Sequence, residues 1–158
     1  MMWARRRQPL VFVATGVAVL ALCAGLTWAL WPSGPTGVAD PADAAQVALG
    51  SQIYRKQCAS CHGADLKGQP DWRIRKPDGR LPAPPHDETG HTWHHLDEQL
   101  FRLTKRGLRP PLAPEGYQSD MPAFEDVLTD AEIWAALAYI KSRWQPRTLA
   151  RQPKGTNR

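Results

Sequence analysis

The chain is poor in the patterns that build sheets. Its 158 residues contain no strand-like run of alternating apolar and polar positions of any length, and no segment repeats. A sheet-based fold is excluded, and with it the βαβ setting in which a Cys-x-x-Cys pair reads as a thioredoxin-like dithiol. Cysteine is also scarce, with Cys23, Cys58 and Cys61 the only three. Cys23 lies in an apolar run near the N-terminus, so no second ligand pair is available to complete a structural zinc site with Cys58 and Cys61. Methionine occurs three times, and beyond residue 2 only Met121 remains. No basic stripe interleaved with aromatics runs through the middle of the chain, which excludes nucleic acid as the expected partner.

What surrounds the cysteine pair is specific. Cys58-Ala59-Ser60-Cys61-His62 places two thiols three residues apart with a histidine immediately after them. Two thiols at that spacing can each add to a vinyl group of one haem, and the adjoining imidazole then sits under the iron. C-x-x-C-H is therefore a c-type haem attachment site. The motif predicts one covalently attached haem c, held by Cys58 and Cys61, with His62 as the proximal iron ligand.

The formal charge of +5 is unevenly spread. Arg5, Arg6 and Arg7 stand near one end. Lys141, Arg143, Arg147, Arg151, Lys154 and Arg158 stand at the other with no anion among them, and residues 32–140 carry −4. The triple arginine precedes an uncharged run of 22 residues, 10–31, ending in Trp28 and Trp31. As a helix this run is about 33 Å long, enough to span a bilayer core. Indoles favour the membrane interface and arginines the cytoplasmic side. The run is longer than the roughly 7 to 15 residues of a secretory core, so an uncleaved anchor is expected. Cleavage near Thr27-Trp28-Ala29 is the alternative. The remainder then faces the periplasm from the inner (cytoplasmic) membrane.

These features divide the chain into a cytoplasmic basic segment (1–9), an anchor (10–31), a Pro/Gly linker (32–39), a domain (40–145) and a basic tail (146–158). With Pro146 and Pro153 and no anions, the tail reads as disordered. Within the domain, Asp40 can cap a helix with Pro41 in its first position and Asp43 near its positive end. Val47, Gly50, Ile53 and Tyr54 then recur at helical spacing. Residues 63–94 are punctuated by glycine and proline, which forbids long regular elements. A second helix is predicted over 96–106 and stops at Gly107. A third begins with Thr129 and Glu132 as a capping box, Leu128 stapling onto Ile133, and carries Ile133, Leu137, Ile140 and Trp144 on one stripe.

Met121 lies 59 residues after His62, in a turn-rich stretch before the last helix. A thioether there would be the sixth iron ligand, and a His/Met pair leaves no axial position for substrate. Gly50 and Tyr54, eight and four residues before Cys58, the "EIWAALAYIKSRW" helix with Tyr139, and Met121-Pro122-Ala123-Phe124 together resemble the class I mono-haem cytochromes c of membrane-anchored bacterial type. The resemblance covers roughly residues 40–145. It implies an all-α cytochrome c fold: three or four helices and long loops wrapped around one covalent haem, here behind an N-terminal transmembrane helix. In that family the glycine lets the first and last helices cross closely. A proline carbonyl after the haem motif orients the proximal histidine, and Pro77, Pro82, Pro84 and Pro85 all compete for that role.

His86, His91, His94 and His95, four of the five histidines, crowd one decapeptide. They read as packing around the haem edge, or as a second copper or zinc site built from His91, His94 and His95, or as a source of the sixth ligand. Trp72, Trp93, Arg73, Arg75 and Arg80 can bond haem propionates or cover the porphyrin. The expected function is that of a membrane-tethered single-electron carrier, not itself an enzyme and without a small-molecule substrate. It would exchange electrons with membrane or periplasmic redox proteins across a haem edge near Ala59 and Ser60. The alternatives are an electron-entry subunit of a larger oxidoreductase, of terminal oxidase or nitric oxide reductase type, and an open-site haem enzyme or sensor.

Overall fold

The computed structural model describes residues 37–154. The predicted anchor at 10–31 lies outside these residues. Among the described residues no helix is long and apolar enough to cross a membrane.

The first helix, α1, spans Ala44–Gln57 and runs almost directly into a single helical turn, α2, at Ala59–His62. A 3-10 turn follows at Thr92–His94, then α3 at Asp97–Arg106, α4 at Asp130–Ser142 and α5 at Pro146–Arg151. The described residues contain no strand.

The first helix starts later than Asp40 and Pro41 implied. Asp43 is its N-cap, accepting hydrogen bonds from the amides of Ala45 and Gln46 at 2.9 and 3.1 Å. Asp40 closes the preceding turn, accepting from Ala42 N–H at 2.8 Å. Gln46 decides between the two acids. Its side chain reaches back to accept from Asp40 N–H at 2.8 Å and donates to Val38 O at 2.9 Å, which holds residues 38–40 outside the helix.

Helix α4 is the centre of the core. Ile133, Ala135 and Ala138 are fully buried, and Trp134, Leu137, Ile140 and Trp144 nearly so. Phe101 of α3 stacks on Trp134, ring centroids 4.4 Å apart. The α1–α4 crossing is tightest at Gly50, where a Cβ would lie 1.8 Å from the carbonyl oxygen of Ala135. The expected capping box is present: Glu132 N–H donates to Thr129 Oγ1 at 3.3 Å, and Thr129 N–H to Glu132 Oε2 at 2.8 Å. Thr129→Ala removes one side of it and is expected to lower stability by about 1 kcal/mol, read as a fall in Tm of several degrees by calorimetry.

The tail departs from the disorder expected of residues 146–158, at least as far as Gln152. Pro146 opens α5, a position that suits proline because its missing N–H would be unpaired there anyway. Thr148 and Gln152 are buried, and Leu149 packs against the core. Gln152 Nε2 donates to His95 O at 3.1 Å and to Asp97 Oδ1 at 2.7 Å, while Lys141 Nζ meets Asp97 Oδ2 at 2.6 Å. One carboxylate at the start of α3 thus ties down both α4 and the tail. Six residues with a single large apolar side chain give no periodic signal, so local pattern could not reveal this helix.

Candidate haem-binding site

The Cys58–His62 motif folds as one helical turn. The amides of Cys61 and His62 both donate to Cys58 O, at 3.1 and 2.9 Å. Positions i, i+3 and i+4 of a helix share a face, so Cys58, Cys61 and His62 present two thiols and an imidazole in one direction. Cys58 is half-buried, and Cys61 and Ser60 are exposed. Burial, with Cys61 nearby, pushes the Cys58 thiol up to about 11, so the free thiol stays protonated at neutral pH.

Tyr54 secures the end of this turn. It is fully buried, and its hydroxyl donates to Gly63 O at 3.1 Å. Burial raises its pKa, so the donor proton stays in place. The ring leans on Tyr139 of α4 at 5.3 Å. The Gly50/Tyr54 pairing with the Tyr139 helix is therefore a physical contact.

The structure chooses among the four prolines. His62 Nδ1 lies 2.8 Å from Pro84 O. A carbonyl can only accept, so Nδ1 carries the proton and Nε2 keeps its lone pair for a metal. Burial holds His62 below histidine's ordinary pKa, against the opposing pull of that carbonyl. The Pro84 carbonyl is placed by its neighbours. Leu66, at φ 65°, turns its carbonyl to accept from His86 and Asp87 N–H at 2.7 and 3.2 Å. Gln69 N–H donates to Ala83 O at 2.9 Å. Gly68 lies so close that a Cβ would meet Pro84 C at 2.6 Å.

Met121 is half-buried against the same core that Cys58, Ala59 and Trp93 pack on. Its loop is held at both ends. Asp120 accepts from Lys76 Nζ at 2.6 Å and pairs with Arg80 at 3.1 Å. Phe124 and Glu125 donate to the carbonyls of Thr104 and Lys105, which would otherwise be unpaired at the end of α3. Met121 also lines a shallow cleft of about 350 Å³ with Arg80, Arg106, Arg109 and Tyr117. This local cationic cluster stands within a domain whose sequence is net acidic.

Orphaned polar atoms test whether haem fits these residues. Three buried atoms among the described residues lack a hydrogen-bond partner: Arg80 Nε, His86 Nδ1 and Trp93 Nε1. Such groups are costly unless something bonds them. Haem propionates would supply the missing acceptors for Arg80 and Trp93, so the donor set fits the group. The other propionate candidates leave no buried side-chain donor unpaired among the described residues. Arg73 lies over the Trp72 ring at 4.3 Å, Trp72 stacks on His91 at 5.4 Å, and Arg75 donates to Gly79 O at 2.6 Å.

The histidines of the decapeptide are not gathered into one cluster of ligands. No group of three or more His, Cys, Asp or Glu side chains able to hold a metal occurs among the described residues. Instead His91 stacks on Trp72, and His94 on Trp93 at 3.6 Å. His86 stacks on His62 with centroids 3.9 Å apart and planes 21° from parallel. A ring stacked there would lie on the same side of a bound haem as His62, so His86 does not fit the role of sixth ligand. Sequence reasoning flagged His86 but missed this stack, because nothing in the chain pattern connects positions 62 and 86.

Comparison with known proteins agrees with this geometry. The profile of the family described as Cytochrome c matches residues 47–144. The cytochrome bc1 complex cytochrome c subunit of Mycobacterium tuberculosis (strain ATCC 25618 / H37Rv) is 26% identical over 137 residues, covering 87% of this chain and 42% of the relative. That of Mycobacterium leprae (strain TN) is 26% identical over 140 residues, with 89% and 42% covered. The Cbb3-type cytochrome c oxidase subunit FixP of Sinorhizobium medicae (strain WSM419) is 25% identical over 99 residues, with 63% and 30% covered. The chain spans less than half the length of these relatives. No solved structure is a significant match. A haem-motif turn closed by a buried tyrosine, a histidine oriented by a proline carbonyl and a matching profile over most of the domain make this chain a member of the cytochrome c family.

Proposed function

We propose that this protein is a single-electron carrier with one haem c, joined through Cys58 and Cys61 and ligated by His62 and Met121. The observation that carries the reading is the one-turn helix that gathers both thiols and His62, with His62 Nδ1 donating to Pro84 O at 2.8 Å. Bound there, the haem supplies a one-electron iron couple. The residues do the rest. His62 offers Nε2 in a fixed tautomer, Met121 offers a soft thioether that favours the ferrous state, and Arg80 and Trp93 satisfy the propionates. With both axial positions taken, no site remains for a small-molecule substrate. Exposed Ser60 and Cys61 mark the side from which an electron would leave or enter.

The apolar run at 10–31 supports tethering to the cytoplasmic membrane with the domain in the periplasm, where a linker raises its effective concentration against membrane redox complexes. The names of the relatives favour a second reading. A cytochrome c subunit of a bc1 complex and a subunit of a cbb3 oxidase are named as parts of larger complexes, and on this reading the chain serves as the electron-entry subunit of such an assembly. Co-purification in mild detergent with a multisubunit oxidoreductase favours the subunit, and recovery alone favours the free carrier.

Covalent attachment has a direct test. The double variant Cys58→Ser, Cys61→Ser is expected to carry no haem through denaturing electrophoresis, whereas the unaltered protein keeps one equivalent by pyridine haemochrome. Haem retained on the denatured double variant refutes the thioether reading.

A further inference from the structure

We propose that His86 is the positioning residue for the proximal ligand: its imidazole, stacked on His62, sets the plane in which that ring presents Nε2 to iron. The inference rests on His62 being the proximal ligand, as proposed above. The Pro84 carbonyl alone does not define that plane. A hydrogen bond to a carbonyl oxygen tolerates a broad range of directions, so His62 could still pivot about its Nδ1–H···O axis. A second ring 3.9 Å away and 21° from parallel removes that freedom, because rotating His62 would drive its edge into the face of His86. The stack also covers one face of the imidazole, keeping water from the bond to Pro84.

For this role His86 must itself be held, and its backbone is fixed on both sides while its ring meets two others. Its amide donates to Leu66 O at 2.7 Å. Its carbonyl accepts from Trp144 Nε1 at 2.7 Å, across 58 residues of sequence. Tyr54 meets its ring edge-on at 6.0 Å. The preceding residue is clamped as well, since a Cβ on Gly90 would come within 2.1 Å of Pro85 O. Leu66, buried at a positive φ unusual for a residue with a side chain, supplies the carbonyl that fixes this segment. Backbone strain of this kind persists where the surroundings demand it.

The test uses the haem-loaded protein, with His86→Ala, His86→Leu and His86→Phe measured by ferric electron paramagnetic resonance and redox titration. Alanine and leucine remove the flat ring. Both are expected to shift the ferric g values and to change the ferric-to-ferrous ratio at the native midpoint about tenfold, equal to 59 mV for one electron. Phenylalanine restores a flat ring without nitrogens, and is expected to stay within twofold of the native ratio with native g values. Native behaviour in Ala and Leu overturns the proposal. So does a Phe variant as altered as Leu, which would place the effect in the ring nitrogens. If the Ala variant does not accumulate, Leu against Phe, matched in bulk but not in shape, decides alone. The unaltered protein serves as the control for the ligand assignment. If its spectrum is not six-coordinate and low-spin, the ligation reading fails at that step, before any variant is compared.

Discussion

Met121→Ala is expected to abolish the weak methionine-to-iron charge-transfer band of the ferric protein. It should also lower the reduction potential by a substantial part of the roughly 0.8 V that axial ligation spans. The thioether is soft and stabilises ferrous iron, so its loss favours the ferric state. The fold gives reason to expect the change to stay local. The Met121 side chain is only half-buried, and its loop is fixed by other groups. Met121 N–H donates to Ser119 Oγ at 3.1 Å, Asp120 is clamped by Lys76 and Arg80, and Phe124 is bonded to the end of α3. A methionine that merely filled space would give the opposite pattern, a lower Tm with an unchanged potential. Redox titration and a thermal melt on one sample separate the two. An unchanged spectrum and potential sink the electron-carrier reading in its His/Met form.

The largest loss of stability is expected from Gly50→Ala. The added methyl carbon would stand 1.8 Å from Ala135 O, 2.5 Å from Ala135 C and 3.0 Å from Tyr139 Cβ. Two of these are backbone atoms of a buried helix, and Cβ has no rotamer by which to escape. Helices α1 and α4 must separate, opening the crossing on which the core is built. Overpacking usually costs about 1–3 kcal/mol, occasionally more, and this position belongs at the upper end. A fall in Tm on the order of 10–20 °C is expected for a domain near this size. Because α1 carries Tyr54 and leads into Cys58, the yield of haem-loaded protein should fall as well. Gly79→Ala is the control. No atom lies within 4 Å of a Cβ there, so only the strain of its φ of 82° is felt, about 1–2 kcal/mol. Equal losses at both positions would mean that the crossing is not the reason.

The Cys58–His62 motif was legible because it is a matter of adjacent residues. So were the capping box at Thr129 and the pairing of Gly50 and Tyr54 with α4, since a box spans four residues and the pairing rests on a family resemblance. Where neighbouring residues offered equal local chemistry, the reading failed or stayed open. Asp40 and Asp43 are both good caps, and the side chain of Gln46 chose between them. Residues 146–151 have the composition of a loose tail, yet they fold because Gln152 finds the carboxylate of Asp97, 55 residues away.

The sequence by itself determined the haem motif, the helical character of the domain and Met121 as the one methionine available beyond the N-terminus. These follow from spacing and periodicity, which are properties of the chain as written. Only the tertiary structure decided that Pro84 orients His62, that Arg80 and Trp93 hold the unpaired donors, and that His86 stacks on His62 instead of joining a metal site. Four prolines and four histidines are each alike in their local chemistry. What distinguishes one from another is the set of atoms brought against it from distant sequence. The Pro84 carbonyl reaches His62 across 22 residues, and Trp144 reaches His86 across 58. Such distances close only when α1 and α4 cross.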